Sequence, residues 1–248
     1  GHISLLTTSK KRDFLSVCSI FVNPVQFNDV KDFDNYPTTI EKDIDALEKA
    51  GCDVLFLPSV SEMYPSGTQH AEKYELGYLE TVLEGKYRPG HFQGVCLVVN
   101  RLLDIIPADE LYLGQKDYQQ CMVITKLIEL TGKGDKIKIT ICPTLREADG
   151  LAMSSRNMRL TSEERAKATM IFKALQFIKE HVRPGNIEKL KLKAGSLLEE
   201  QGLRPDYVEI ATAGDLSAVS EWDGKQKLLA LVAAFLNEVR LIDNMHLN

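Results

Sequence analysis

Apolar residues cluster along this chain in runs of two periods. The first strong run is Phe14 to Val22, FLSVCSIFV, near-continuous and rich in β-branched and aromatic side chains. Such a run predicts a strand buried on both faces. It stops at the breaker pair Asn23-Pro24. From Thr38 to Ala50 the period changes to that of a helix. Ile40, Ile44 and Leu47 share one face, Pro37 precedes, Thr38 with Glu41 fits a capping box, and Gly51 is a natural stop. Asp53 to Pro58 predicts the next strand. Leu97 to Ile106 is apolar at helical spacing, Glu110 to Leu113 reads as a short strand, and Tyr118 to Leu130 as a helix. In Lys136 to Cys142 the isoleucines 137, 139 and 141 alternate, which predicts a strand with one covered face. Strand, helix, strand with short connections is the pattern of a parallel α/β sheet.

The texture changes after about residue 145. Thr161 with Glu164 makes a second capping box, opening one long helix to about His181, with Ile171, Ala174, Leu175 and Ile178 on its inner face. Ile187 to Gln201 predicts another helix, closed by Gly202. Tyr207–Thr212, Lys227–Leu236 and Glu238–Asp243 are three strand-like runs. Two helices followed by three strands make a small α+β unit. The boundary is expected near Thr144, giving domains 1–144 and 145–248.

Composition narrows the function. The longest purely apolar run, Leu228 to Leu236, has nine residues. A spanning helix needs about 20. Net charge is −5, which argues against a nucleic-acid or membrane partner, since both favour a basic face. An anionic small substrate remains compatible, because a few cations reverse the potential inside one cleft. The five cysteines are widely spaced with no CxxC. They read as small buried hydrophobes in a reducing, cytoplasmic protein. HExxH and GxSxG do not occur, so zinc and serine-triad hydrolysis lose support.

Parallel sheets bind ligands beyond the carboxyl ends of their strands. The polar clusters that follow the predicted strands are therefore the candidates. Asn23 and Gln26 follow the first strand; their amides offer donors and acceptors to a substrate with hydroxyls and a carboxylate. The bland alternative is a turn residue and a solvated Gln. Gly114-Gln115-Lys116-Asp117 follows the strand 110–113 and opens a helix. Close backbone approach at Gly114, the helix N-terminus and the Lys116 charge suit a phosphate. Asp117 suits a cap, a ribose or a metal ion. Arg146 to Asn157 carries two adjacent hydroxyls and two guanidiniums, Arg146 and Arg156, in a Gly-containing loop. Such a loop can wrap and close on a polyphosphate, or be a plain interdomain loop. Among the histidines only His2 and His91 are flanked by Gly; His70, His181 and His246 receive no role.

Taken together, SIFVNPVQF (19–27), YP (36–37), EGKYRPGHFQGV (84–95), YLGQKDYQQ (112–120), LREADGLAMSSRN (145–157) and RLIDN (240–244) resemble the pantothenate synthetase (pantoate–β-alanine ligase) family. The blocks run in family order over essentially the whole chain. The resemblance implies a nucleotidyltransferase-superfamily fold: α/β, with a Rossmann-like parallel-sheet N-terminal domain and a smaller α+β C-terminal domain. It implies ATP-dependent condensation of pantoate with β-alanine through a pantoyl adenylate, with Mg²⁺, in a homodimer; superfamily analogy alone would allow nucleic-acid binding, and the net charge of −5 weighs against that and against a membrane partner.

Roles follow residue by residue. His2, with Gly1 the last pair of the family's N-terminal signature, and Lys116 are the expected catalytic groups. Gly1, His2, Gly114, Gln115, Lys116, Asp117, Leu145, Met153, Ser154, Ser155 and Arg156 are expected to bind ATP, the last three in a loop like the synthetase KMSKS loop. Gln26 and Gln120 are expected to hold pantoate, with Asn23 a weaker candidate and Arg88 and His91 near the site. Gln115 stands where many members carry Glu. The rest of the signature and the family's first strand are expected upstream of Gly1. A transferase stopping at an adenylylated product and a non-catalytic nucleotide-binding protein are the competing readings. Lys116, Gln26, Gln120 and the Ser154–Arg156 loop count against the second.

Overall fold

The computed structural model describes residues 1–10, 14–27, 33–34, 36–67 and 72–248; His70 lies outside them. The helices are α1 (His2–Ser9), α2 (Ile40–Lys49), α3 (Val60–Met63), α4 (Leu83–Tyr87), α5 (His91–Ile105), α6 (Tyr118–Leu130), α7 (Ser162–Ala168), α8 (Met170–His181) and α9 (Glu188–Glu199). The strands are β1 (Val17–Ser19), β2 (Val54–Phe56), β3 (Glu110–Gly114), β4 (Lys138–Cys142), β5 (Gly185–Asn186), β6 (Arg204–Thr212), β7 (Glu221–Trp222), β8 (Leu228–Leu236) and β9 (Val239–His246). The chain forms two compact units. One holds Gly1–Gln115 and Gln119–Pro143; the other holds Thr144–Asn248 and the turn Lys116–Tyr118.

In the first unit β1 pairs with β2 and β3 with β4, both in parallel, with Val17 opposite Val54 and Glu110 opposite Lys138. The parallel α/β expectation is met. The expectation that 14–22 is a strand buried on both faces is not. β1 has three residues, Leu15 is 73 % exposed and Val17 39 %. Among the described residues the sheet of β1 has two strands, so an apolar run has no second layer to cover it. The same holds for α2, where Leu47 is buried but Ile40 and Ile44 are exposed. Its cap is Thr39 without a side-chain bond, so the Thr38–Glu41 box does not form. Helix α5 starts at His91, a turn and a half before the apolar spacing signals it, because the φ +80 backbone of Gly90 turns the chain into it. The core beneath α5, α6 and the β3–β4 pair contains Phe92, Val95, Val123, Ile124 and Leu127.

In the second unit β6, β8 and β9 form an antiparallel sheet, in the order β6-β8-β9. Helices α8 and α9 pack on it, with Ile171, Ala174, Leu175 and Ile178 in the core. Eight of the nine β8 residues are buried, with Phe235 the partly exposed one. The Thr161–Glu164 capping box forms. The single long helix does not: it divides at Thr169. The Thr169 hydroxyl donates to the Ala166 carbonyl at 2.7 Å, competing for an oxygen the backbone ladder uses. Cys96, Cys121 and Cys142 are buried as expected, while Cys18 and Cys52 are half-buried.

Candidate active site

In the first unit the chain leaves β1 into a single 3-10 turn, Pro24–Gln26, capped by Asn23. Asn23 is buried. Its Oδ1 accepts from the Val25 N–H at 3.3 Å and the Tyr64 hydroxyl at 2.8 Å. Its Nδ2 donates to the Gly94 carbonyl at 3.0 Å. This amide is spent on the fold, so Asn23 positions the turn rather than offering a free group to substrate. Gly94 makes the approach possible: a Cβ there would lie 2.5 Å from the Val25 carbonyl oxygen and 2.6 Å from Gln26 Cα.

The imidazole of His91 holds the same turn. Its Nδ1 lies 2.8 Å from the Gln26 carbonyl oxygen and its Nε2 lies 3.0 Å from Arg88 Nη1. A guanidinium only donates, so Nε2 accepts and Nδ1 carries the proton given to Gln26. Arg88 also reaches Glu84 at 3.7 Å. The two residues expected near the site therefore fix the backbone of Gln26. Among the described residues the Gln26 side chain has one long contact, accepting from Asn23 Nδ2 at 3.5 Å.

Adjacent glutamines on α6 divide in the same way. Gln119 is buried; its Nε2 donates to the Leu79 and Val82 carbonyls at 2.8 and 2.9 Å, and its Oε1 accepts from the Glu84 N–H at 2.9 Å. Among the described residues the Gln120 side chain makes no hydrogen bond. Of these four amides, Gln26 and Gln120 are the two that the described residues do not tie down with strong hydrogen bonds. Gly114 ends β3. Its carbonyl accepts from the Cys121 thiol at 3.4 Å, and Gln115 opens the following 3-10 turn. Gly1 caps α1, and His2 is its exposed first residue.

In the second unit Leu145 to Met153 fold back as a tight loop. The Met153 N–H donates to the Leu145 carbonyl at 2.9 Å and the Glu147 N–H to the Leu151 carbonyl at 2.8 Å. Arg146 closes it from inside. Its guanidinium donates to both Asp243 carboxylate oxygens, at 2.6 and 3.0 Å, and to the Gly150 and Asn244 carbonyls, at 3.0 and 3.2 Å. It also sits 4.7 Å from the centre of the Phe172 ring. Arg146 is therefore a structural cation, and the expectation of two guanidiniums for phosphate reduces to Arg156. The sequence holds no local sign of this, because its partner lies on β9.

The loop delivers Ser154, whose hydroxyl caps the 3-10 turn Ser155–Arg159 by accepting from the Arg156 N–H. Ser154 and Arg156 line a small cleft together with Lys116, Asn157, Arg240 and Asp243. Lys116 Nζ is 3.4 Å from Asp117 Oδ1, and the Asp117 side chain is 46 % exposed. Three cations around one cleft, with the Ser154 hydroxyl beside them, suit a phosphate group. Arg240 and Asn157 were not singled out by spacing. Arg240 Nε is held by Asp206 at 2.8 Å. The Asn157 Nδ2 donates to the Ala152 carbonyl at 3.0 Å, and its buried Oδ1 has no hydrogen-bond partner among the described residues.

The family model described as pantoate-beta-alanine ligase matches residues 1–246. The chain belongs to that family. It is 42 % identical to the pantothenate synthetase of Cytophaga hutchinsonii over 248 residues, 99 % of this chain and 86 % of that protein. To that of Pseudomonas fluorescens strain Pf0-1 it is 44 % identical over 250 residues, 100 % of this chain and 86 % of that protein. Among solved structures it resembles pantothenate synthetase from Thermus thermophilus, with a TM-score of 0.87 at 36 % identity, covering 100 % of this chain and 88 % of that one. It also resembles the pantoate-beta-alanine ligase of Francisella tularensis complexed with beta-gamma ATP and beta-alanine. There the TM-score is 0.82 at 36 % identity, covering 99 % of this chain and 84 % of that one. As a pantoate–β-alanine ligase, the enzyme joins a hydroxy acid to an amino acid through an amide bond.

Proposed function

We propose that this ligase works in two steps on the residues of these two units. A carboxylate is a poor electrophile toward an amine. A pantoate carboxylate oxygen therefore attacks the α-phosphorus of ATP; the bond to the β-phosphate breaks, giving pantoyl adenylate and pyrophosphate. The β-alanine amine then attacks the acyl carbon, AMP leaves, and the amine proton passes to solvent or a nearby base. The protein's contribution is alignment and charge neutralisation.

Lys116 carries the charge that stabilises the pentacovalent phosphorus, and His2 hydrogen-bonds the phosphate. Ser154, Ser155 and Arg156 hold the β- and γ-phosphates. Gly114, Gln115, Asp117, Leu145 and Met153 line the nucleotide, with Gly1 beside it. Gln26 and Gln120 hold pantoate, while Asn23, Arg88 and His91 keep the Gln26 turn in place. The single observation that carries this reading is the cleft shared by Lys116, Ser154 and Arg156.

Among the described residues no group of three His, Cys, Asp or Glu side chains could hold a metal. We read Mg²⁺ as part of the MgATP substrate, held by phosphate oxygens and water, with Asp117, 3.4 Å from Lys116 Nζ, the carboxylate beside the lysine. No described helix is long and apolar enough to cross a membrane. We assign the enzyme to the cytoplasm, as a homodimer, with no nucleic-acid or membrane partner.

Pyrophosphate release from MgATP tests the order of steps. Release is expected to require pantoate, and AMP with continuous turnover to require β-alanine as well. Lys116→Ala is expected to slow the pantoate-dependent step by about 10²-fold, since removing one preorganised charge-stabilising group costs about 3 kcal/mol. Pyrophosphate release without pantoate, or a wild-type rate in Lys116→Ala, would overturn the assignment.

A further inference from the structure

The turn that carries Lys116 is too short to define itself. Gln115–Asp117 is one 3-10 turn between β3 and α6. Among the described residues Lys116 Nζ has one contact within ion-pair distance, Asp117 at 3.4 Å, and lies in the field of Asp243 across the cleft. A four-carbon side chain held this loosely at its tip depends on its backbone for its aim. What fixes that backbone is β9. Asn244 is buried, and its Nδ2 donates to the carbonyl oxygen of Lys116 itself at 2.8 Å. Two residues later the Tyr118 hydroxyl donates to the Ala213 carbonyl at 2.8 Å. The Tyr118 ring meets His246 edge-on, with centroids 5.5 Å apart.

Asn244 is in turn held from the other side. Its N–H donates to Asp243 Oδ1 at 2.8 Å, and its carbonyl accepts from Arg146 Nη2 at 3.2 Å. The same Arg146 closes the loop that delivers Ser154 and Arg156. One residue of β9 therefore shares hydrogen bonds with the lysine turn and with the frame of the phosphate loop.

We propose that Asn244 is a positioning residue for catalysis: it clamps the Lys116 carbonyl and registers that lysine against the loop framed by Arg146 and Asp243. This rests on the reading of Lys116 as the charge-stabilising group. The role demands a short side chain with a donor. A leucine side chain lacks the donor that reaches the Lys116 carbonyl, and a carboxylate sets oxygen against oxygen. A preorganised charge loses its effect steeply when displaced, about 10²-fold in rate per 1 Å.

The test is a double-mutant cycle on the full chain, read as pantoate-dependent pyrophosphate release from MgATP, with KM values for ATP and β-alanine and thermal melting alongside. Asn244→Ala is expected to lower kcat for that step about 10- to 10²-fold, with the β-alanine KM changed less than about twofold. On the Lys116→Ala background it should have almost no further effect, because the group it aims is gone. A purely structural asparagine would instead multiply the loss in both backgrounds.

Tyr118→Phe removes the second anchor while keeping the ring; it is expected to act in the same direction and to be absorbed in the same way. It decides the question if Asn244→Ala does not fold. A wild-type kcat in both anchor variants, or losses that multiply with Lys116→Ala, would overturn the proposal. A wild-type rate in Lys116→Ala alone overturns the reading of the lysine, so the two failures are told apart by that one variant.

Discussion

Arg146 and Asp243 stand 97 positions apart and meet as a buried two-pronged ion pair, Nη1 to Oδ2 at 2.6 Å and Nη2 to Oδ1 at 3.0 Å. Burial pushes the Asp243 carboxyl above the usual carboxylate range, and the Arg146 charge pulls it back. Asp243 is also used by the Asn244 N–H. The pair therefore stabilises its surroundings only while both members are present. Asp243→Ala leaves the guanidinium without its anion and is expected to cost about 3–5 kcal/mol. Arg146→Met with Asp243→Leu should be much milder, since an apolar pair of similar volume leaves no unpaired charge. Urea unfolding of the three chains checks this. Equal losses in the single and double variants would rule it out.

Gln119 and Gln120 are neighbours with opposite expected phenotypes. Gln119→Ala strips partners from the Leu79 and Val82 carbonyls and the Glu84 N–H, and is expected to lower stability by about 2–3 kcal/mol. Gln120→Ala removes no described bond and should leave the melting temperature within about 2 °C, a shift that corresponds to well under 1 kcal/mol. Its expected effect is a pantoate KM raised at least tenfold, about 1.4 kcal/mol of lost binding, with the ATP KM unchanged. Parallel losses for both substrates would point away from a pantoate grip.

Gly94→Ala places a methyl group 2.5 Å from the Val25 carbonyl oxygen. Helix α5 and the Pro24–Gln26 turn must then separate, at about 1–3 kcal/mol for an overpacked site. Because the turn carries Gln26, the pantoate KM should rise with the loss of stability. Gly134→Ala, at a site with open space, is the control. An unchanged pantoate KM in a destabilised Gly94→Ala protein would separate the turn from substrate binding.

Asp53 joins three points of the first unit, accepting from Lys10 Nζ at 2.6 Å, from the Ser16 hydroxyl at 2.6 Å and from the Ser16 N–H at 2.8 Å. The Lys10 and Ser16 side-chain bonds hold its carboxyl well below the ordinary carboxylate range. A depressed folded-state value contributes stability that is present above the unfolded value, about 3.9 for Asp, and is lost as pH falls through the folded one. The stability difference between wild type and Asp53→Asn is therefore expected to shrink from pH 7 to pH 3. Chemical denaturation at both pH values measures it, and a constant difference would refute the linkage.

Signals that act over a few residues were legible along the chain. The Thr161–Glu164 box forms as written, Tyr118–Leu130 is a helix with those ends, and the apolar run 228–236 becomes the buried central strand of its sheet. A hydroxyl three residues from a carboxylate can express itself without a distant partner where the helix starts at that spacing, as at Thr161 but not at Thr38, where the helix begins one residue later with Thr39 as its cap. The family blocks likewise pointed to Lys116, Ser154 and Arg156, which share one cleft.

Partner choice was not legible. Asn23 and Gln26 look alike in sequence, as do Gln119 and Gln120, yet among the described residues one of each pair is tied into the fold and the other is not. Arg146 and Arg156 carry the same charge in one loop, and the first is locked onto the buried Asp243 carboxylate from β9. The run 14–22 looked like a covered strand and lies open, because burial depends on layers the run does not encode. Sequence by itself determined the periodic elements, their order and the chemical groups present, since these follow from short-range sterics and hydrogen bonding. Tertiary structure alone decided which polar groups are spent and which remain, because a buried donor or acceptor must be paired, and its partner here lies dozens of residues away.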